Sequence, residues 1–265
     1  MITIVRSQQP EQPEWLYQWT QYEAETAFLF FDWIHPRTLE DFRDKHVFDA
    51  GCGPGHHIRL AAPVARHVTG MDINTAEIAR QKLADLDDVT ILQGDIATHR
   101  PESPYDVVYC IGVIHHTDDP DKTFENLKQM CAAGGLLIIW CYSSEGNELV
   151  RRIVEPLRQR VLSRLSRGTV VFLSRAITAL LYPIVHTLYR LPLKWLPFYE
   201  YFENFRKMSF ERNMLNVFDK LNAPQTEFIS RERLESWFAP TQFEDVSITS
   251  YKGVSWRGSG VVMHG

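Results

Sequence analysis

At 265 residues, 45% hydrophobic and 23% charged, the chain is sized for one large globular domain or one domain with a substantial insertion. Its formal net charge of −5 gives no overall attraction to nucleic-acid phosphates, so a nucleic-acid partner is not expected. Residues 1–15 have no apolar signal core, no run of about 18 uncharged apolar residues predicts a membrane span, and Cys52, Cys110, Cys131 and Cys141 form no CxxC metal pair, which together predict a cytoplasmic protein with reduced, buried thiols.

Residues 15–34 are rich in aromatic rings (Trp15, Tyr17, Trp19, Tyr22, Phe28, Phe30, Phe31, Trp33) and predict a turn and then a helix ending before Pro36. Core packing accounts for most of these rings. From His46 onward, apolar runs alternate with helical patterns. Residues 47–50 read as a buried strand, followed by the turn Gly51-Cys52-Gly53-Pro54-Gly55 and a helix over 57–62 that Pro63 ends or kinks. A second strand covers 68–72. The next helix opens at Asn74 as cap, with Glu77 placed to return the bond. Strands at 89–95 and 105–112 follow, then an amphipathic helix over 119–133 closed by Gly134-Gly135, then a fifth strand at 136–141.

Strands that are apolar throughout and separated by helices imply a doubly wound α/β domain with a mostly parallel sheet covered on both faces. Ligands on such sheets bind beyond the carboxyl ends of the strands. After Ser143 the pattern becomes helical to about Asn222, without a clear strand. Ser230 caps a helix through Phe238, and two strands at 246–250 and 260–263 complete the chain. The predicted organisation is an aromatic N-terminal lid segment (1–45), an α/β domain (46–145 and 230–265), and a helical insertion after the fifth strand (146–229), too long for a plain loop.

Four features fall in order at successive strand ends. The first is Asp49-Ala50-Gly51-Cys52-Gly53-Pro54-Gly55, where glycines let a ligand approach the backbone and the next helix offers unpaired N–H groups. A dinucleotide fingerprint needs a third glycine at position 56, which is His56, so the spacing disfavours a pyrophosphate. The second is Asp72, whose carboxylate suits two ribose hydroxyls and would otherwise cap the following helix. The third is Gly94-Asp95-Ile96, an acid beside an apolar residue as an adenine ring requires; alone it is a common turn. The fourth is Cys110 to His116, where His115 or His116 could take a proton from an acceptor near neutral pH or simply hold the loop.

VFDAGCGPG, GMDIN, QGDIAT, YDVVYCIGVIHHTDDP and GGLLIIW together resemble the class I S-adenosylmethionine-dependent methyltransferases, in particular the small-molecule branch that includes quinone-biosynthesis-like enzymes. The resemblance covers about residues 45–143 and the final strands. It implies a Rossmann-like seven-stranded sheet with an antiparallel last strand, S-adenosylmethionine as cofactor and S-adenosylhomocysteine as product. It further implies that Asp49, Gly51, Cys52, Gly53 and Gly55 hold the methionine part and Asp72 the ribose. Asp95 with Ile73 and Ile96 would hold the adenine, and Ile111 and His116 would line the methyl-transfer side. Tyr17, Trp19 and Tyr22 become lid residues over the cofactor. The [DNS]-P-P-[YF] signature of amino-methylating members is absent after the fourth strand, where Gly112-Val113-Ile114-His115 stands, which speaks against nucleobase amines.

The expected reaction is direct displacement, with the protein positioning the partners and excluding water, and with no metal. His116 or His115 is the candidate base, followed by Tyr142 and Tyr201. The expected acceptor is a small molecule, anionic or hydrophobic; a non-catalytic cofactor-binding module and a membrane-surface lipid or quinone methyltransferase are the alternatives. Residues 151–200 hold nine Arg or Lys against Glu155 and Glu200, a local charge of +7 that leaves −12 for the remainder. Three readings of this insertion compete: a substrate lid whose cations attract an anionic acceptor, a basic amphipathic surface resting on an anionic membrane, and a subdomain with its own core and solvated arginines. The lid ranks first.

Overall fold

A computed structural model describes residue 17 and residues 27–263. In chain order it shows α1 (Ala27–Ile34), β1 (His46–Ala50), α2 (His56–Ala61), β2 (His67–Asp72), α3 (Ala76–Lys82), β3 (Val89–Gln93), β4 (Tyr105–Ile111), α4 (Pro120–Met130) and β5 (Cys131–Tyr142). The helices α5 (Glu155–Arg160), α6 (Arg167–Thr187), α7 (Tyr199–Phe205) and α8 (Phe210–Asn222) form the insertion, and α9 (Arg231–Trp237), β6 (Phe243–Tyr251) and β7 (Ser255–Val262) return to the sheet. The seven strands lie in the order β3-β2-β1-β4-β5-β7-β6, parallel from β3 to β5, with β7 antiparallel to both its neighbours.

Alternating side chains on each central strand divide the core into two layers. Val47, Val107, Tyr109, Leu136 and Ile138 face one side, covered by Phe30 and Ile34 of α1 and Ile58 of α2. Phe48, Val108, Cys110, Leu137 and Ile139 face the other, covered by Phe124 and Leu127 of α4 and Leu234 and Trp237 of α9. Burial on both faces is why these strands read as unbroken apolar runs. The four cysteines are buried free thiols.

Three local expectations are corrected. The N-cap of α3 is Thr75 rather than Asn74, and the two amides just before the helix are taken by Asp72, whose Oδ1 accepts from the N–H groups of Asn74 and Thr75 at 2.8 Å each. Glu77 pairs with Arg80 at 3.0 Å instead of bonding back, because the charged carboxylate upstream already serves those amides. The helix expected to reach Ala133 stops at Met130; Cys131 is extended and already pairs with Tyr105. The last strands are longer than their apolar segments suggest, since positive φ at Lys252 (52°) and Gly253 (67°) closes a tight hairpin between Tyr251 and Ser255.

The insertion is helical, as expected, and clipped at its base. Ile229 N–H donates to the Tyr142 carbonyl (2.9 Å), and Ser144 N–H donates to the Ile229 carbonyl (2.8 Å). Above the clip, α6 packs on α8 through Val170, Met214, Leu215 and Phe218. The insertion therefore leaves and rejoins the sheet at the carboxyl end of β5, beside the strand ends that carry the predicted site.

Candidate active site

The carboxyl ends of β1, β2 and β4 and the loop after β3 open into one cavity of about 590 Å³, within the roughly 300–1,000 Å³ of small-molecule sites. Gly51, Cys52, Gly53, Asp72, Ile73, Asp95, Ile96, Ile111 and His116 all line it, so four separate chain segments converge on this cavity. The opposite wall comes from the insertion, with Tyr201, Arg212, Asp219 and Lys220.

The glycine turn takes a conformation that side chains resist. Gly51 has φ +84°, and a Cβ there would lie 2.5 Å from the Val113 side chain. Asp72 ties this turn to the end of β2: its Oδ2 accepts from Gly53 N–H at 3.1 Å while Oδ1 serves Asn74 and Thr75. An ionised carboxylate has about four lone-pair sites. Three are used within the protein, leaving accepting capacity on Oδ2. Asp95 is held by Ala97 N–H on Oδ1 (2.9 Å), next to the buried side chain of Ile96.

Other predicted residues sit elsewhere. Asp49 is 1% exposed and lies behind the turn rather than on the cavity wall, and Gly55 does not reach the wall either. Burial lifts the Asp49 carboxyl to about 8; the nearby Tyr109 hydroxyl opposes the rise and Asp72 adds to it. Tyr17 packs edge-on against Phe218 (5.8 Å between centroids) under the Arg167 guanidinium, in the α6–α8 core rather than over the cavity. Trp19 and Tyr22 lie outside the described residues.

The two adjacent histidines divide sharply. His115 is 1% exposed and off the cavity wall, with its ring 4.2 Å from that of Tyr142. Among the described residues neither of its ring nitrogens finds a hydrogen-bond partner, and burial drives its pKa well down, so it is a neutral core residue. His116 faces the cavity, and its Nδ1 lies 2.7 Å from the Gln225 carbonyl. A carbonyl only accepts, so Nδ1 carries the hydrogen and Nε2 the basic lone pair. Burial lowers the His116 pKa, Asp219 and the Gln225 carbonyl oppose this, and Arg158 assists it. Gln225 closes the arrangement by donating to the His116 carbonyl (2.7 Å) and to Asp118 Oδ1 (2.9 Å).

Tyr142 donates to Asp219 Oδ2 at 2.9 Å, and burial raises its pKa well above the ordinary phenol value, which removes it as a base. Lys220 Nζ sits 5.4 Å from the Tyr142 ring centroid, 5.2 Å from that of Tyr201 and 3.4 Å from the Tyr201 hydroxyl. No described carboxylate is within ion-pair distance of it. Arg212 bonds Asn216 one turn along. Sequence reasoning missed Arg212, Asn216, Asp219, Lys220 and Gln225. The first four recur at helical spacing on one face of α8, a polar stripe that was the available signal.

Residues 48–137 match the family described as "Methyltransferase domain". The matched segment carries β1 to β4 and the start of β5 of the seven-stranded, mostly parallel sheet. Over 124 residues the chain is 37% identical to a trans-aconitate 2-methyltransferase of Klebsiella pneumoniae (strain 342), a match covering 43% of this chain and 48% of that relative. Over 126 residues it is 29% identical to a tRNA U34 carboxymethyltransferase of Shewanella sediminis (44% of this chain, 38% of the relative). These matches span half or less of the relatives' own length. The fold superposes on the DhpI–SAH complex with a TM-score of 0.55 at 14% identity, over 95% of this chain and 94% of that one. S-adenosylmethionine is the methyl donor of class I methyltransferases, and the methyltransferase domain's positive-φ glycine turn and half-buried Asp72 fit it. The family match ends at Leu137, so the insertion wall lies wholly outside it.

Proposed function

We propose that the protein transfers a methyl group from S-adenosylmethionine to a small-molecule acceptor held between the methyltransferase domain and the helical insertion. The observation that carries this reading is the single cavity that joins the strand-end wall to the insertion wall, with His116 between them. When bound, the cofactor supplies an electrophilic methyl on a sulfonium. The chain supplies the rest. Gly51 and Gly53 present backbone to the methionine part, Asp72 accepts from the ribose, and Asp95 with Ile73 and Ile96 receives the adenine. His116 Nε2 takes the proton from the acceptor's nucleophile. Lys220 and Arg212 favour an anionic acceptor, while Tyr201, Phe202 and Phe205 on the same wall suit an apolar body. The insertion keeps water from the reacting centre. A module that only bound the cofactor would need no acceptor space beside His116.

Calorimetric titration of S-adenosylmethionine and S-adenosylhomocysteine tests the cofactor, with Asp72→Ala expected to abolish binding. Methyl-labelled cofactor is then incubated with a polar metabolite extract, a lipid extract and bulk tRNA. Label in a metabolite or lipid product supports the reading. Label in tRNA would move the acceptor to nucleic acid, and tight binding without label in any pool would reduce the protein to a binding module.

A further inference from the structure

The outer surface of the insertion is the largest feature that methyl transfer leaves unexplained. The helix that begins with α6 and runs on to Arg190 is long and apolar enough to cross a membrane by length and composition (hydropathy 1.6), yet only 22% of its most apolar window is buried. A helix apolar on both faces is expected to be covered on both. Its inner stripe is covered: Val170, Ser174, Thr178 and Val185 are buried on the α8 side. The two hydroxyls bond back to carbonyls one turn earlier, at 2.8 and 2.7 Å. Its outer stripe is not. Phe172 is 70% and Leu180 71% exposed, and Trp195, just beyond the helix, is 76% exposed. Large apolar side chains left this exposed on one helix and just past its end mark an interaction surface.

The charge around this stripe identifies the partner. Arg160, Arg164, Arg190 and Lys194 are exposed, and no described carboxylate lies within ion-pair distance of any of them. They belong to the segment of net +7 in a chain of net −5. A second copy seated symmetrically on this face would set +7 against +7, which disfavours a dimer. An anionic bilayer instead offers hydrocarbon to the stripe and phosphate to the cations, and Trp195 suits the headgroup level. The remainder of the molecule, at −12, is repelled by the same surface and orients the insertion toward it. Its inner stripe is held by α8 and Arg175 pairs with Glu211 at 2.8 Å, which suits the helix to lie on such a surface and not to cross it.

We infer that the face of α6 bearing Phe172 and Leu180, with Trp195 and the flanking cations, docks the protein on an anionic lipid bilayer. The inference goes beyond methyl transfer and holds whatever the acceptor is. α6 also lends Leu181 to the cavity wall, so docking sets the acceptor space beside the lipid phase.

Vesicle flotation of the full chain at low salt tests this, with phosphatidylcholine vesicles against equal parts phosphatidylcholine and phosphatidylglycerol. The protein floats with the anionic vesicles, and high salt weakens the association. Phe172→Ser with Leu180→Ser lowers the bound fraction by about tenfold or more. Arg164→Glu with Arg190→Glu and Lys194→Glu does the same without touching the apolar stripe. All five positions are exposed, and retained cofactor binding by each variant shows that it folds. The inference is overturned if the protein fails to float with anionic vesicles, or if both sets of substitutions leave flotation unchanged. Light scattering that shows a stable dimer dissociated by the Phe172 and Leu180 substitutions would overturn it too, by placing a second copy on this face.

Discussion

His115 and His116 have the same side chain one residue apart, and their hydrogen bonds give them different chemistry. The bond from Nδ1 to the Gln225 carbonyl fixes the His116 tautomer and leaves Nε2 basic, whereas His115 is sealed against Tyr142. A base works only when unprotonated, and burial lowers the His116 pKa from 6.5, so its active form persists to lower pH than an exposed histidine would allow. The acidic limb of kcat/KM is therefore expected below pH 6.5. His116→Asn should lower kcat by about 10²–10³-fold and erase that limb, while the Kd for S-adenosylmethionine stays unchanged. A matched fall in cofactor affinity would show that His116 holds the cofactor or the loop instead of moving a proton.

At the scale of elements, the seating of α9 on the sheet depends on two glycines of β7. A Cβ on Gly258 would lie 2.6 Å from Cε2 of the buried Phe238 ring, and one on Gly260 3.1 Å from its Cδ1. Gly258→Ala should cost about 1–3 kcal/mol by overpacking, read as a fall in Tm of roughly 2–4 °C per kcal/mol. An unchanged melt would mean that α9 shifts freely on the sheet. The same glycines explain what the sequence left obscure. β1, β2 and β4 were legible because burial on both faces makes them apolar runs, each closed by a glycine or an acid, and β5 shows the same apolar run. In β7 the apolar signal is thinned by Gly258 and Gly260, which make room for Phe238, a residue outside the strand. The strand-end half of the cavity was legible for the same local reason. The insertion half was not: the α8 stripe shows its periodicity but not what it faces, which depends on Ile229 returning to β5. Gln225, which orients His116, lies 109 positions from it.

Across the whole molecule, buried groups of opposite type set how stability responds to pH. Burial is the leading cause of the lowered pKa values of His57, His99, His115 and His116, with His57 brought down to about 3. Below pH 6.5 the unfolded chain binds protons that these folded histidines refuse, so stability falls as the solution is acidified. Asp49 acts in the opposite direction. Its carboxyl is raised from 3.8 to about 8, so between those values the folded protein keeps a proton that the unfolded chain releases, and stability falls as pH rises. From 3.8 to 6.5 the four histidines oppose and outnumber the single acid. From 6.5 to 8 Asp49 acts with the histidines silent. Denaturant midpoints of the cofactor-free protein should therefore peak near pH 6.5 and decline on both sides. Asp49→Asn, which cannot ionise, should flatten the decline between pH 6.5 and 8 and steepen the fall on the acid side, where Asp49 no longer offsets the histidines. A wild-type midpoint that stays level from pH 6.5 to 8 would show that Asp49 is ionised in the folded protein, and that the space behind the glycine turn is more polar than its burial indicates.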